Sequence, residues 1–208
     1  AKHACRKGRL KSPDASATVD NPLCGDRITV DLKIENGRIA GVRTAAEVAD
    51  GFFPLFMNPE RFDLLLDPLE EGFNKAGNGK SLADFETQPF VPVSLGDDLD
   101  ACRLPIKQHL ALYVGGMGAK DRNFHNELVV RLGYGEAAGK IQDLYLDGRK
   151  EEAVAAVPDE LVDDIALVGP KDRIKQRLAA WEDSAVTSLL VWPKNDDDLN
   201  TFAELILD

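Results

Sequence analysis

From Arg43 to the end of the chain, short apolar runs alternate with amphipathic helical stretches, and this constrains the fold more than any other feature. "GFFPLF", "FETQPFVPVSL" and "AVTSLLVW" predict strands near 52–56, 86–95 and 186–192. Helices are expected between and after them: from Asn58 as N-cap with Pro59 in the first turn, from Asp97 or Asp98, and over about 119–132, 134–147 and 158–164. "GPKDRIKQRLAAWEDS" predicts another, and the last runs from about Asp197 to Leu207. Strand and helix in succession is the pattern of an α/β protein with a parallel sheet. In the helix after Asn58, Phe62, Leu65, Leu66, Leu69 and Phe73 share one face and Pro68 is expected to bend it. The prolines of "FETQPFVPVSL" predict an edge or irregular strand.

The segment before Arg43 differs. Residues 1–26 are short of apolar groups and predict coil or a helical remnant, with "PDASATVDNP" as a loop. Ile28, Val30, Leu32 and Ile34 then alternate with polar residues, and Asn36-Gly37 follows at once. That dipeptide suits a two-residue hairpin turn because both positions need positive φ, so a β-hairpin over 27–42 is expected, with the return strand from Arg38 to Val42. Charge changes at the same place: residues 1–43 hold nine Lys/Arg against five Asp/Glu, and residues 44–208 hold sixteen against thirty-one. A boundary near Arg43 follows, dividing the chain into 1–43 and 44–208.

A net charge of −11 argues against nucleic acid as a partner. No apolar run approaches the ~18–20 residues that span a bilayer, so no membrane partner is expected. Cys5, Cys24 and Cys102 form no CxxC pair, which disfavours a disulfide framework and makes a cytoplasmic, reducing compartment the default.

Cys24-Gly25-Asp26 places a thiolate and a carboxylate two residues apart before a strand, half of a metal site by residue type. "HACRKGRL" with "NPLCGDRITVDLKIENGRIAGVR" resembles the start of the NifU/IscU/SufU iron–sulfur scaffolds over residues 2–43. The resemblance implies metal binding by Cys24 and Asp26. The family's further cysteines have no counterpart here, so an iron–sulfur cluster or zinc would be held only weakly, with His3 and Cys5 as extra candidate ligands.

"AAEVADGFFPLFMNPERF", "HLALYVGGMGAKDRNFHNELVVRLGY" and "VPDELVDDIALVGPKDRIKQRLAAWEDSAVTSLLVW" resemble the C-terminal half of luciferase-like oxidoreductases and monooxygenases over residues 44–207. The branch implied uses a deazaflavin coenzyme, with FMN as the alternative, for hydride transfer with a small-molecule substrate. The fold implied is an incomplete (β/α)8 barrel preceded by a β-hairpin. Complete barrels of this kind run to ~250 residues. "GFFPLF" then matches the seventh barrel strand and "TSLLVW" the eighth. Two coding sequences joined near Arg43 would explain both resemblances. No catalytic residue transfers by motif, and the isolated chain is expected to be inactive and to form homo-oligomers through open sheet edges.

Within the second segment, Gly115, Gly116, Gly118, Lys120 and Arg122 are the candidate cofactor-binding residues: flexible backbone N–H groups and two cations suit a phosphate or acidic tail. The same glycines also suit a simple break between helices. His109 and His125 form no ligand pattern and are expected to pack or cap. Asp159, Glu160, Asp163 and Asp164 suit a divalent cation, although dipole capping or solvent exposure is the commoner use. Trp181 and Trp192 stand where packing is expected.

Overall fold

The computed structural model describes residues 15–20, 27–32, 34–35, 38–39, 41–120, 122–193 and 195–207. The chain divides into two compact units, Ala1–Asp50 with Asp67–Phe85, and Gly51–Leu66 with Glu86–Asp208.

In the first unit, β1 (Ala15–Asp20) pairs antiparallel with β2 (Arg27–Leu32), Ala15 opposite Leu32 and Asp20 opposite Arg27. The loop expected over Ala15–Asp20 is therefore a strand, because ladder pairing with β2 outweighs its weak local pattern. β3 (Ile34–Glu35) pairs antiparallel with β4 (Arg38–Ile39), and the Asn36-Gly37 turn lies outside the described residues. The return strand stops short of Val42, since α1 (Gly41–Val48) has already begun.

Beyond β5 (Gly51–Phe52), Asn58 caps a 3₁₀ turn, Pro59–Arg61, by accepting from the Glu60 N–H at 2.9 Å. α2 (Asp63–Ala76) follows, with Pro68 inside it. Phe62, Leu69 and Phe73 are buried as the spacing predicts, whereas Leu66 of the same set is 38% exposed. Gly72 lets α2 approach α1: a Cβ there would lie 2.5 Å from Ala46 Cβ. Phe73 meets Phe85 edge-on at 5.3 Å, and Lys80 Nζ donates to the carbonyls of Ala46 and Ala49, satisfying acceptors at the end of α1.

In the second unit, β5 runs parallel to β6 (Glu86–Thr87), and β7 (Phe90–Leu95) is the centre of a parallel sheet. Its neighbours are β8 (Leu167–Gly169) and β9 (Leu190–Pro193). The strand expected over 86–95 is thus split near Pro89, and it is central rather than an edge. Parity explains how a central strand accommodates Pro92. Phe90 N donates to Pro54 O and Gly96 N to Gly169 O, so even-numbered residues direct their N–H to one side. Pro92 has the same parity and falls where the neighbour on that side changes from Pro54 to β8, which pairs only from Val93 onward. The missing donor costs no ladder bond there.

Three other expectations shift. The 52–56 strand ends at Phe52, since Pro54 follows and Phe56 adopts φ 50°, outside the extended region. The last strand begins at Leu190 rather than Val186. β8 lies in "ALVGP", too short a run to stand out by period.

The helices are α3 (Leu99–Leu110), α4 (Phe124–Val129), α5 (Gly135–Leu146), α6 (Lys150–Ala155), α7 (Asp159–Ile165), α8 (Lys171–Glu182) and α9 (Asp196–Leu207). Asp98 caps α3 through bonds from Asp100 N and Ala101 N at 3.0 and 3.1 Å. α3 widens into a π-helical turn, Ala111–Gly116, and Gly133 (φ 102°) separates α4 from α5. Leu110, Val114, Val129, Ile141, Leu161 and Ile165 form the helical core with Val168 from β8. No helix among the described residues is long and apolar enough to cross a membrane.

Candidate functional site

Side chains alternate along β7. Val91 and Val93 are buried, whereas Phe90 and Pro92 take the other face. Register places Leu190 beside Phe90 and Trp192 beside Pro92 on that same face. Phe90 meets Trp192 edge-on at 5.4 Å and Phe53 at 6.3 Å. Phe53 is 46% exposed, Leu190 44% and Trp192 66%, so this face is an open aromatic row. Trp181 is buried as expected, whereas Trp192 packs one edge against Phe90 and leaves most of its surface in water. Broad aromatic surface with half its area in water is suited to stacking against a planar ring.

The glycine-rich segment has a local structural explanation. A Cβ at Gly115 would lie 2.5 Å from Tyr145 Cβ, and one at Gly116 would lie 2.9 Å from Tyr145 Cδ1. Both glycines thus admit the Tyr145 ring of α5. At Gly118 a Cβ would lie 2.5 Å from Arg122 O, inside the tight turn closed by Arg122 N to Ala119 O at 2.9 Å. Lys120 pairs with Asp143 at 2.6 Å, and together with Leu144, Leu146, Asp147 and Arg149 they line an open cleft. Arg122 is exposed.

Behind that loop, Asn123 is buried and fully engaged. Its Nδ2 donates to Tyr113 O at 2.9 Å and Val114 O at 2.8 Å, while Oδ1 accepts from His125 N at 3.0 Å and Asn126 N at 3.1 Å. One amide therefore satisfies carbonyls of the π-helical turn and caps α4, so that helix starts at Phe124 instead of about 119. Asn126 reinforces the join, donating to Val114 O at 3.2 Å and Ala138 O at 2.8 Å.

The two asparagines hold His125 in an aromatic cluster. His109 stacks on Tyr113 at 4.3 Å, Tyr113 meets His125 edge-on at 4.8 Å, and Phe56 lies 5.8–6.3 Å from all three. Burial pushes both imidazoles below their ordinary pKa, and for His125 the nearby His109 adds to it. Spacing gave no sign of this grouping, because Phe56 is contributed by a distant loop. His109 keeps part of its surface in water, yet its ring packs on Tyr113 and against Phe56 as expected.

Asp159 and Glu160 stand in the first turn of α7, where the helix dipole favours them, and Glu160 is exposed as expected, whereas Asp163 and Asp164 are engaged by side chains from other elements. Asp163 receives Arg103 Nε at 3.1 Å and Nη2 at 2.6 Å, together with Arg173 Nη2 at 2.8 Å. Asp159 pairs with Arg103 and Lys107, and these cations, Lys107 first, hold its carboxyl below the usual range. Tyr134 donates to Asp164 at 2.7 Å; burial and then that carboxylate push the phenol well above its ordinary value. Asp159, Asp163 and Asp164 are committed to cations and a hydroxyl. Among the described residues no group of three or more His, Cys, Asp or Glu could hold a metal ion. Cys24, Asp26, His3 and Cys5 lie outside the described residues. Cys102 is a buried free thiol.

Residues 36–188 match the luciferase-like monooxygenase family. A Mycobacterium tuberculosis protein provisionally named coenzyme F420-dependent oxidoreductase is 37% identical over 188 residues, covering 90% of this chain and 53% of its own. The 5,10-methylenetetrahydromethanopterin reductase of Methanopyrus kandleri is 25% identical over 168 residues, covering 79% and 45%. Among solved structures, the coenzyme F420-dependent tetrahydromethanopterin reductase from Methanopyrus kandleri superposes with a TM-score of 0.58 at 23% identity, covering 79% of this chain and 45% of that one. An F420-dependent secondary alcohol dehydrogenase in complex with an F420-acetone adduct gives 0.54 at 13% identity, covering 93% and 56%. These two structures show a shared fold. The chain spans about half the length of the curated relatives it matches. The family match opens at residue 36, and 188 aligned residues exceed the 165 from Thr44 to Asp208. Similarity therefore runs through Arg43, where the change in sequence texture had suggested a junction. The chain belongs to the luciferase-like monooxygenase family.

Proposed function

We propose that this chain forms part of an oxidoreductase that uses the deazaflavin coenzyme F420 for hydride transfer to or from a small organic substrate. The observation that carries this reading is the 37% identity, across 90% of the chain, with the Mycobacterium tuberculosis protein so named. The parallel strands β8-β7-β9, with buried valines on one face and aromatics on the other, would be the C-terminal part of a (β/α)8 barrel.

The residues present fit a planar ring. Trp192, Phe90 and Phe53 would form one wall of its site, excluding water from one ring face and fixing the ring's plane. When bound, the coenzyme supplies the carbon that accepts or donates hydride. Gly115, Gly116, Gly118, Lys120 and Arg122 remain the proposed contacts for an acidic tail, a weaker assignment because the glycines already serve close packing and Lys120 is paired. The experiment is a titration of F420 with the purified chain, followed by fluorescence polarisation of the deazaflavin. Weak, saturable binding without turnover is expected, and Trp192→Ala should weaken it roughly tenfold, the scale of one lost aromatic contact. Absence of binding, or equal affinity for the variant, would overturn this placement.

A further inference from the structure

The cluster of His109, Tyr113, His125 and Phe56 lies where α3, the π-helical turn and α4 meet. We infer that it is an acid-sensitive latch: protonation of its two imidazoles releases the start of α4 from Tyr113 and Phe56. This inference is independent of any coenzyme.

His125 Nδ1 is buried and has no hydrogen-bond partner. A neutral imidazole tolerates this, since an unpaired acceptor nitrogen is a modest loss. An imidazolium presents donors at both nitrogens plus a charge, and the surroundings of Nδ1 meet neither need. Tyr113 can favour one cation through its ring. It lies between His109 and His125, however, so a second cation meets the field of the first.

The charged groups on the packed elements offer no relief. On α3, Arg103 and Lys107 are paired with α7 carboxylates, and in the following loop Lys120 is paired with Asp143. Arg122, Glu127 and Arg131 around α4, Glu136 and Lys140 on α5, and Lys150, Glu151 and Glu152 on α6 are exposed, and none bonds to either imidazole. The segment leading from Phe56 carries Glu60, exposed, and Arg61, paired with Asp63.

Both imidazoles have depressed native pKa values, so the folded state binds fewer protons than the unfolded one below the ordinary histidine value near 6.5. The stabilisation is present above that pH and is lost as pH falls through the native values.

The test compares melting temperatures at pH 7.5 and pH 5.5 for the wild type, H109Q, H125Q and the double variant. NMR titration of both histidines in the unmodified chain accompanies it. The wild type should lose about 3 °C more than the double variant between the two pH values, the scale expected for one linked proton in a chain of this size. A purely structural role would lower all melts without changing that difference. In the wild type, both histidines should titrate below about 6.5, with Tyr113–His125 contacts vanishing at the same midpoint. Equal pH slopes, or midpoints at or above the ordinary histidine value, would overturn the latch. If the glutamine variants do not fold, the wild-type titration decides alone.

Discussion

Replacing Asn123 by alanine removes four hydrogen bonds from a side chain that is 2% exposed. Losing the cap of α4 costs about 1 kcal/mol. Val114 O keeps a second donor in Asn126, whereas Tyr113 O loses the donor it shared with it, at about 1–2 kcal/mol for a buried acceptor left unmet. With a small cavity added, Asn123→Ala should cost about 3 kcal/mol. Asn123→Asp separates the two halves of the role. It retains the acceptor that caps α4 and adds a negative charge at a helix N-terminus, worth about 0.3–1 kcal/mol in favour. It also sets a carboxylate oxygen against the Tyr113 and Val114 carbonyls, where the amide now donates, and buries the charge. Asn123→Asp should therefore be less stable than Asn123→Ala at pH 7.5, and should recover on acidification as its carboxyl gains a proton to donate. Urea unfolding followed by circular dichroism reads this as a shift in midpoint at constant slope. A stable Asn123→Asp, matching the wild type or exceeding Asn123→Ala at pH 7.5, would show that capping alone matters and that the bonds to the π-helical turn carry no stability.

Gly116→Ala should destabilise by about 1–3 kcal/mol through collision with the Tyr145 ring, and Tyr145→Ala in the same chain should restore much of that loss; a stable Gly116→Ala that loses coenzyme binding would instead favour a ligand role for the loop. Asp163→Ala should cost about 1–3 kcal/mol, since Arg103 and Arg173 each lose a charged partner while Arg103 keeps Asp159 and Arg173 keeps Val168 O, and thermal melts will show whether it does. Gly72→Ala should cost about 1–3 kcal/mol by forcing α2 away from Ala46, measurable as a lower urea midpoint.

Much of the helical architecture is legible in the sequence, because caps and breakers act locally. Asp98, Asn58 and Gly133 mark boundaries that the structure keeps. Strands were harder. The prolines argued for an edge or irregular strand: the strand is indeed interrupted near Pro89, but it lies in the centre of a sheet, where the parity of Pro92 depends on where Pro54 and β8 sit and not on any local pattern. Ala15–Asp20 has too little alternation to announce itself, and its pairing with β2 decides its form. The candidate sites were less legible still. Trp192 ends the apolar run Leu189–Trp192, so only the register with β7 shows it on the outward face beside Phe90. The α7 carboxylates meet Arg103 and Lys107 from α3 and Arg173 from α8, helices whose meeting with α7 no spacing rule foretells. Asn123 carried a signal that could have been found: an Asn three residues before a second Asn, closing a glycine-rich break and opening a helix.

The parallel sheet has a consequence for how the chain assembles in time. Its bonds join residues far apart in sequence: Thr87 N to Thr187 Oγ1, Val93 beside Leu167, Phe90 beside Leu190. From α3 to α7, by contrast, many of the joining bonds are short-range, as Asn123 to Tyr113 and Asn126 to Ala138 illustrate. Closing a loop of about a hundred residues must precede any return from the bonds it brings together. The helical segment is therefore expected to order before β9 docks on β7. The order should reverse on unfolding, so in pulsed hydrogen exchange the amides of β9 should label before those of α3, α5 and α7.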